Sequence, residues 1–334
     1  MQFFRILLFK IRKERKLGFL SQFLKYKSIC IQCHNNPDPD ALASALGLYT
    51  FFTDHGIDTR IVYGGRQSIK KKNLLYMMEV CGILAEHIVE LPKTELLMMV
   101  DAQYGQGNAQ IFEASEIAAV DHHTLYMEKT DKTFIDNTYQ SCSTIVWKLL
   151  KEEGYSVKDN RKLRIAFLYG LYTDTSSYVD LYKEKDCAMR SELRDDYPEL
   201  ERLKKSCMTV GDLMIAGDAL NNCYFNTERR YLIISAMHCE QSILGIIGDM
   251  AIMVDAAKVS VSFTDVDNGY QISVRSCDWD YPANIVAEKL CKNIGNGGGH
   301  KDKAGGNISK ELMNEKYGQQ EITDVIIQRM NEIM

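Results

Sequence analysis

Short apolar runs recur along the first half of the chain, and several of them end in acidic or histidine residues. The run SICIQC (28–33) is followed by His34. The runs ELLMMVDAQ and EIAAVDHH end similarly, and RIAFLYGLYTDTSSY stays apolar until Asp174. Runs of this length bounded by polar residues are typical of buried strands. We therefore predict that each of the four is a strand of one sheet.

Helical patterns separate these runs. DALASALGLYTFFTDHG contains closely spaced alanines and ends at Gly56, a helix stop signal. NLLYMMEVCGIL and STIVWKLLKEEGY are also typical of helices, and DTRIVYGG is typical of another strand. Alternation of strand and helix predicts an α/β fold with a doubly wound, mostly parallel sheet.

The pattern changes near residue 185, where the chain becomes charged and helical. Beyond it, two alternating runs surround Asn268 and Gly269, which predicts a hairpin. ANIVAEKLCKNIG predicts a helix, and NGGGHKDKAGG (296–306) predicts a glycine-rich loop. The organisation we predict has four parts: an N-terminal extension (1–27), a first domain (28–185), a helical linker (186–225) and a smaller α/β domain (226–334).

The N-terminal extension is basic, with eight Lys or Arg residues against the single Glu14. Its apolar residues recur at helical spacing: Phe4, Leu7, Leu8 and Ile11. Two interpretations remain, a helix that docks on the body of the protein, which we favour, and a helix that makes peripheral contact with an anionic membrane. No secretory signal precedes the ten scattered cysteines, so we expect a reduced, cytoplasmic protein.

Composition limits the partners. The net charge of -5 argues against a general polyanion binder, and long duplex nucleic acid is therefore not expected as a partner. The pair Cys30 and Cys33 resembles a redox or zinc motif, but alternation along a strand would direct the two thiols to opposite faces. The oligomeric state stays open, a homodimer included.

The segment HNNPDPD (34–40) is the most unusual stretch, because Pro37 and Pro39 suit neither a strand nor a helix interior. We predict a loop of fixed shape at the end of the first strand. In open parallel sheets, ligands bind beyond the carboxyl ends of the strands. One edge of the sheet should therefore collect six side chains: His34, Asp38, Asp40, Asp101, His122 and Asp174.

Imidazole and carboxylate ligands together suit a first-row ion such as Mn²⁺ better than an all-oxygen Mg²⁺ site. Six ligands exceed what one ion with an open position needs, and they suit two ions that share a bridging carboxylate. Each aspartate alone has an ordinary structural explanation. Asp40, for example, would serve equally well as a cap of the helix that follows it.

These segments also resemble a known family. HNNPDPDALASAL, VDAQ, VDHH and GLYTDT resemble the four ordered motifs of the DHH phosphoesterases. SVRS and GNGGGHKDKAGG resemble the motifs of that family's associated C-terminal domain. The resemblance runs from about residue 28 to the end of the chain. It is strongest to the small two-domain members, which degrade very short RNA (nanoRNases) and dephosphorylate 3′-phosphoadenosine 5′-phosphate.

The resemblance implies a role for each matching residue. His34, Asp38 and Asp101 would hold one Mn²⁺. The second Mn²⁺ would be held by Asp40, Asp101, His122 and Asp174, with Asp101 bridging. His123 would face the scissile phosphate. The substrate's terminal phosphate would be bound in the C-terminal domain by Arg275, Gly298, Gly299 and His300.

The sequence departs from the family pattern at Pro39 and Ala43, where glycine is usual, and neither departure removes a ligand. The function we expect is hydrolysis of short single-stranded RNA or nucleotides with two Mn²⁺ ions, for which Mg²⁺ or Co²⁺ would substitute. Nucleoside 3′,5′-bisphosphates and linear dinucleotides are further substrates that this chemistry would fit. Two alternatives remain: an inorganic pyrophosphatase or polyphosphatase on the same metal site, and a nucleotide-binding sensor without catalysis.

Overall fold

The computed structural model describes residues 18–194, 197–205 and 208–334. The chain divides into two compact units, Met1–Cys207 and Met208–Met334. The basic helix predicted around residues 4–11 lies outside the described residues.

Six parallel strands form the sheet of the first unit. They are β1 (Ser28–Cys33), β2 (Asp58–Tyr63), β3 (Ala85–His87), β4 (Leu96–Val100), β5 (Ile117–Asp121) and β6 (Thr133–Ile135). Their order in the sheet is β3-β2-β1-β4-β5-β6, with every neighbouring pair parallel. The strand order runs outward in opposite directions from β1 and β4. Doubly wound sheets form a ligand crevice at this position, where the strand order reverses. The α/β prediction is confirmed.

The described residues of the same unit form six helices. They are α1 (Pro39–Asp54), α2 (Lys72–Cys81), α3 (Cys142–Glu152), α4 (Arg161–Asp174), α5 (Glu184–Leu193) and α6 (Pro198–Lys205). Single turns of 3₁₀ helix occur at Ser21–Phe23 and Val157–Asp159. The helices share one large core with the residues on one face of the sheet, whereas loop residues such as Ala109 and Phe112 cover the other face.

One of the four predicted strands is wrong, because the apolar run that ends at Asp174 is helix α4. Its residues are buried almost continuously from Leu163 to Leu171. A helix surrounded by other elements is apolar on all sides, so periodicity alone does not separate it from a buried strand. Helix α4 packs against both α1 and α3 and is central to the unit.

The described end of the predicted N-terminal extension contributes to this core. Leu20 and Phe23 are completely buried, and the ring of Phe23 packs edge-on against Phe19 and Phe52. Residues 18–24 therefore belong structurally to the first unit.

The second unit contains a mixed six-stranded sheet and five helices. In chain order they are α7 (Val210–Asn221), β7 (Tyr224–Asn226), β8 (Tyr231–Ala236), α8 (Gln241–Ala251), β9 (Val259–Val266), β10 (Gly269–Ser276), α9 (Ala283–Cys291), β11 (Gly295–Gly299), β12 (Lys303–Ser309), α10 (Lys310–Tyr317) and α11 (Ile322–Ile333). The sheet order is β11-β12-β10-β9-β8-β7, and β8 and β9 form its parallel pair. The hairpin predicted at Asn268 is β9–β10.

The glycine-rich segment is a hairpin and not the predicted loop. β11 and β12 pair antiparallel and are joined by a short turn, residues 300–302. A Cβ on Gly297 would lie 2.3 Å from the carbonyl oxygen of Ala287, and one on Gly306 would lie 2.9 Å from Cys291 Sγ. Glycine thus lets α9 lie directly on the two strands, which favours regular pairing in a segment with turn-like composition.

The predicted linker spans the boundary between the units. Helices α5 and α6 pack on α4 in the first unit, and α7 packs on α8 and β8 in the second. Within the described ranges, none of the helices combines the length and the apolar character needed to cross a membrane.

Candidate metal and phosphate-binding sites

The first candidate ligand group joins the ends of β1 and β4. His34 follows β1 directly, and its Nε2 lies 3.9 Å from Asp38 Oδ2 and 3.8 Å from Asp101 Oδ2. Asp38 is the N-cap of α1, where its Oδ1 accepts a hydrogen bond from the Ala41 amide at 2.9 Å. Pro39 occupies the first helical turn, where its missing N–H has no cost. The HNNPDPD segment thereby places His34 Nε2 and a carboxylate oxygen of Asp38 near a carboxylate oxygen of Asp101.

The second candidate group consists of Asp40, His122 and Asp174, whose ligand atoms lie within 4.8 Å of one another. Asp40 does not cap its own helix. Its two carboxylate oxygens accept hydrogen bonds from the Cys142 amide at 2.6 Å and the Ser143 amide at 3.0 Å, at the N-terminus of α3. Asp174 ends α4, and its Oδ2 lies 3.5 Å from His122 Nε2. Three different helices and one strand therefore position this group.

Asp101 connects the two groups. Its Oδ2 faces His34, and its Oδ1 lies 3.3 Å from His122 Nε2. The residue is only 2% exposed, and Oδ1 accepts no hydrogen bond from the described residues. The backbone has a φ of 54°, a left-handed conformation that aspartate tolerates better than most residues. A buried carboxylate oxygen that lacks a hydrogen-bond donor is the kind of atom that a cation satisfies.

Electrostatics supports a pair of divalent cations. Burial, followed by repulsion from neighbouring carboxylates, raises the pKa of Asp101 and of Asp174 well above the usual range. Burial likewise raises the pKa of Asp40. Carboxylates gathered in a buried site need compensating positive charge, and two imidazoles complete a donor set that suits Mn²⁺. The residues present therefore fit two ions, with Asp101 placed between the two groups.

His123 is oriented by a residue outside the predicted set. Its Nδ1 lies 2.8 Å from Asp121 Oδ1, which also accepts the amide hydrogen of His122 at 2.8 Å. Gln103 donates to the other Asp121 oxygen at 2.7 Å. The hydrogen bond to Asp121 raises the pKa of His123. Burial alone would raise the pKa of Asp121, but the hydrogen bonds outweigh it and leave that pKa lowered.

Asp121 and Gln103 are positioning residues that the sequence analysis missed. Asp121 is completely buried at the end of β5, and Gln103 also accepts hydrogen bonds from the Tyr126 and Met127 amides. The signal that the sequence offered for these two residues was their position in the segments VDHH and VDAQ, beside the predicted site residues His122 and Asp101. An acidic residue beside two histidines is, however, as compatible with a ligand as with a partner that orients them, and only the hydrogen bonds distinguish the two.

The predicted phosphate-binding residues lie in the second unit. Arg275, on β10, donates from Nε to Asp249 Oδ1 at 2.5 Å and from one terminal nitrogen to Ser273 Oγ at 2.8 Å. The guanidinium runs across α8, because Gly245 and Gly248 leave room for it. Arg275 pairs in register with Lys303, whose carbonyl accepts the His300 amide at 2.8 Å. Strand pairing thus brings the arginine strand beside the hairpin turn that carries His300.

The glycines of the β11–β12 hairpin differ in what they allow. Gly299 has a φ of 146°, which other residues rarely adopt. A Cβ on Gly298 would meet nothing within 4 Å, so the fold itself does not require glycine there. His300 is exposed at the turn. Exposed backbone next to an exposed imidazole leaves room for an anion to approach.

Family comparison agrees with this arrangement. Residues 28–173 match the N-terminal domain of the DHH family, and residues 230–332 match the DHHA1 domain. Probable manganese-dependent inorganic pyrophosphatases from Streptococcus agalactiae are 28% identical over 149 residues, which are 42% of this chain and 46% of theirs. The chain therefore aligns with about half the length of these curated relatives.

Solved structures share the fold. An exopolyphosphatase-related protein from Bacteroides fragilis superposes with a TM-score of 0.75 at 19% identity, covering 94% of this chain and 96% of that one. RecJ from Thermus thermophilus, solved with Mn²⁺, has a TM-score of 0.52 at 13% identity, covering 94% of this chain and 53% of that one. With both family domains present in order and the candidate ligands gathered at the end of the sheet, the chain belongs to the DHH family and carries its DHHA1 domain.

Proposed function

We propose that this protein is a two-metal phosphoesterase that hydrolyses short oligoribonucleotides from one end. Nucleoside 3′,5′-bisphosphates and linear dinucleotides are proposed as further substrates. The observation that carries the proposal is Asp101, whose two oxygens face the two histidine–carboxylate groups. Mn²⁺ is the proposed resident ion, which agrees with the manganese in the names of the pyrophosphatase and RecJ relatives.

Bound divalent ions would supply an activated water and neutralise charge on the reacting phosphate. His34, Asp38, Asp40, Asp101, His122 and Asp174 would hold them. His123 is proposed as the group that meets the substrate, because Asp121 engages its Nδ1 and leaves Nε2 as the available nitrogen. Because Nδ1 donates its hydrogen to Asp121, Nε2 carries a hydrogen only when the ring is protonated, a form that the hydrogen bond to Asp121 favours by raising the pKa of His123. The protonated Nε2 would donate a hydrogen bond to a phosphoryl oxygen, where negative charge develops in the transition state.

The second unit is proposed to bind the terminal phosphate of the substrate. Arg275 is already held in place by Asp249 and Ser273, so little side-chain entropy is lost when it meets a phosphate. The open space at Gly298 allows backbone N–H groups to approach an oxyanion, as in other glycine-rich phosphate sites. An anchor for one terminal phosphate favours short substrates that are cleaved from an end.

Inorganic pyrophosphate is the second candidate substrate, because the chain aligns with the pyrophosphatases over 149 residues. The glycine–histidine hairpin and the anchored Arg275 favour a nucleotide instead. Pyrophosphate has no further group to place in a second subsite.

A substrate panel with Mn²⁺ tests the proposal. The panel contains RNA of two to five nucleotides, a nucleoside 3′,5′-bisphosphate, a linear dinucleotide, a cyclic dinucleotide and pyrophosphate. We expect turnover of the short RNAs, with the bisphosphate and the linear dinucleotide also cleaved. Faster release of phosphate from pyrophosphate than from any nucleotide would instead establish the second candidate.

The variant Asp101→Asn separates an enzyme from a nucleotide-binding sensor. Since Asp101 contacts both ligand groups, the variant should lose turnover of every substrate to the background level. A sensor would bind nucleotide without turnover in the wild-type protein, so wild type and variant would then behave alike. Absence of any turnover by a wild-type protein that demonstrably binds Mn²⁺ contradicts the proposal.

A further inference from the structure

Trp279 is an exposed tryptophan beside the residues proposed to bind phosphate. It lies between β10 and α9, three residues after Ser276, and is 87% exposed. The other tryptophan of the chain, Trp147, is only 7% exposed in the core of the first unit. Burial of a large aromatic side chain away from water is favourable. A tryptophan that stays exposed to solvent is therefore a candidate for a binding site.

The loop that carries Trp279 is held at both ends by the β11–β12 turn. The Ser276 amide donates to the Asp302 carbonyl at 3.0 Å. At the other end, the Ala283 amide donates to the Lys301 carbonyl at 2.7 Å and the Asn284 amide to the His300 carbonyl at 3.1 Å. Trp279 is therefore tied to the turn that carries His300.

Contacts within the loop restrict it further. Asp278 accepts a hydrogen bond from the Asp280 amide at 2.9 Å and forms an ion pair with Lys258 at 2.8 Å. With residues 278 and 280 held, the backbone at Trp279 has little freedom. Three residues of chain reach no further than roughly 10 Å, so the backbone of Trp279 lies near Ser276, the residue that follows Arg275 on β10.

We propose that Trp279 is a base-stacking residue, whose indole packs on the nucleobase of a nucleotide while Arg275 and His300 bind its phosphate. The inference rests on the proposed function and deepens it, because it assigns the substrate to compounds that contain a base. An uncharged nucleobase suits this position better than a second phosphate group of the substrate would. Asp280 follows Trp279 directly, and its carboxylate would repel a phosphate. Stacking on a side chain tolerates any base, because every base has a π face.

Tryptophan fluorescence of the full-length protein with Mn²⁺ tests the inference directly. AMP and ribose 5-phosphate share the sugar and the phosphate and differ in the base. We expect AMP to change the emission of the exposed Trp279 and ribose 5-phosphate to leave it unchanged. The AMP signal should vanish in Trp279→Phe, which retains the buried Trp147.

Kinetics with dinucleotide RNA provide the second measurement. Trp279→Ala should raise KM about 5- to 150-fold, the range that loss of one stacked base represents, with kcat largely retained. Trp279→Phe should recover most of this affinity, and hydrolysis of pyrophosphate, if present, should not change. Met214→Ala, which removes another exposed apolar side chain of the second unit, should behave as wild type.

The outcomes separate this inference from the proposed function. Equal responses to AMP and ribose 5-phosphate, together with an unchanged KM in Trp279→Ala, overturn the stacking role even if short RNA is cleaved. A base-dependent emission change without hydrolysis supports the stacking role and contradicts the proposed function. Absence of both hydrolysis and an AMP response overturns both.

Discussion

Asp121 illustrates at the scale of single residues how the candidate site is organised. Its carboxylate accepts three hydrogen bonds, from the His122 amide, from the His123 ring and from Gln103. With both oxygens occupied and no exposure to solvent, it orients neighbours and is poorly placed to bind a ligand itself. A buried acceptor that fixes an imidazole determines which ring nitrogen is available for chemistry.

Asp121→Asn should therefore lower kcat about 10- to 100-fold on the best substrate of the panel, the usual cost of removing an orienting partner. Mn²⁺ affinity should change little, because the predicted ligands remain, and isothermal titration measures it. Asp136→Asn is the matched control: this aspartate follows the next strand, β6, and within the described chain its side chain contacts Thr138 and Lys185 and none of the candidate site residues. Equal activity of the two variants would contradict the role assigned to Asp121.

At the scale of elements, the site depends on how closely α1 and α4 approach each other. Gly170, on α4, faces Asp40 at the start of α1, and a Cβ there would lie 2.9 Å from Asp40 Oδ1 and 3.0 Å from its Cα. A Cβ on Gly47, further along α1, would lie 2.7 Å from Phe167 on α4. Glycine at both contacts lets the helices pack closely enough to bring Asp40 and Asp174 into one ligand group.

Gly170→Ala should push the helices apart, destabilise the protein by about 1–3 kcal/mol and weaken Mn²⁺ binding. Thermal unfolding and metal titration measure the two effects. Gly217→Ala on α7 is the control, since a Cβ there meets nothing within 4 Å and alanine favours a helix by about 0.5–1 kcal/mol. Wild-type Mn²⁺ affinity in Gly170→Ala would show that the close approach is not needed for the site.

At the scale of the whole molecule, the predicted site residues are distributed between two units with separate cores. All six predicted metal ligands lie in the first unit, and Arg275, Gly298, Gly299 and His300 lie in the second. The first unit has an extensive core on one face of its sheet and a small cluster on the other, and the second unit has a cluster on each face of its own sheet. Binding of an ion to the native ligands stabilises the unit that supplies them.

Hydrogen exchange of the full-length protein should therefore respond to Mn²⁺ unequally. At a free concentration 100 times the Kd, one bound ion should add about 2.7 kcal/mol of stability. Amides of β1, β4 and β5 should become better protected, while those of β8, β9 and β10 should not change. In Asp101→Asn the added protection should disappear. Uniform protection across both sheets would contradict a metal site confined to the first unit.

Much of the site was accessible from the sequence because parallel strands end at one edge of a sheet. The runs ending at His34, Asp101 and His122 are β1, β4 and β5, and topology alone brings their ends together. Binary pattern and turn residues likewise determined the α/β class and the β9–β10 hairpin. These features depend on local periodicity, which is visible in the chain itself.

Tertiary structure alone decided the remainder. Asp174 joins the site from the end of a buried helix, because α4 is enclosed by other helices and therefore has no polar face to reveal its period. Asp40 binds the N-terminus of α3, about 100 residues away, and the β11–β12 glycines form strands because α9 packs directly on them. These outcomes depend on which surfaces meet across distant parts of the chain, and local composition does not contain that information.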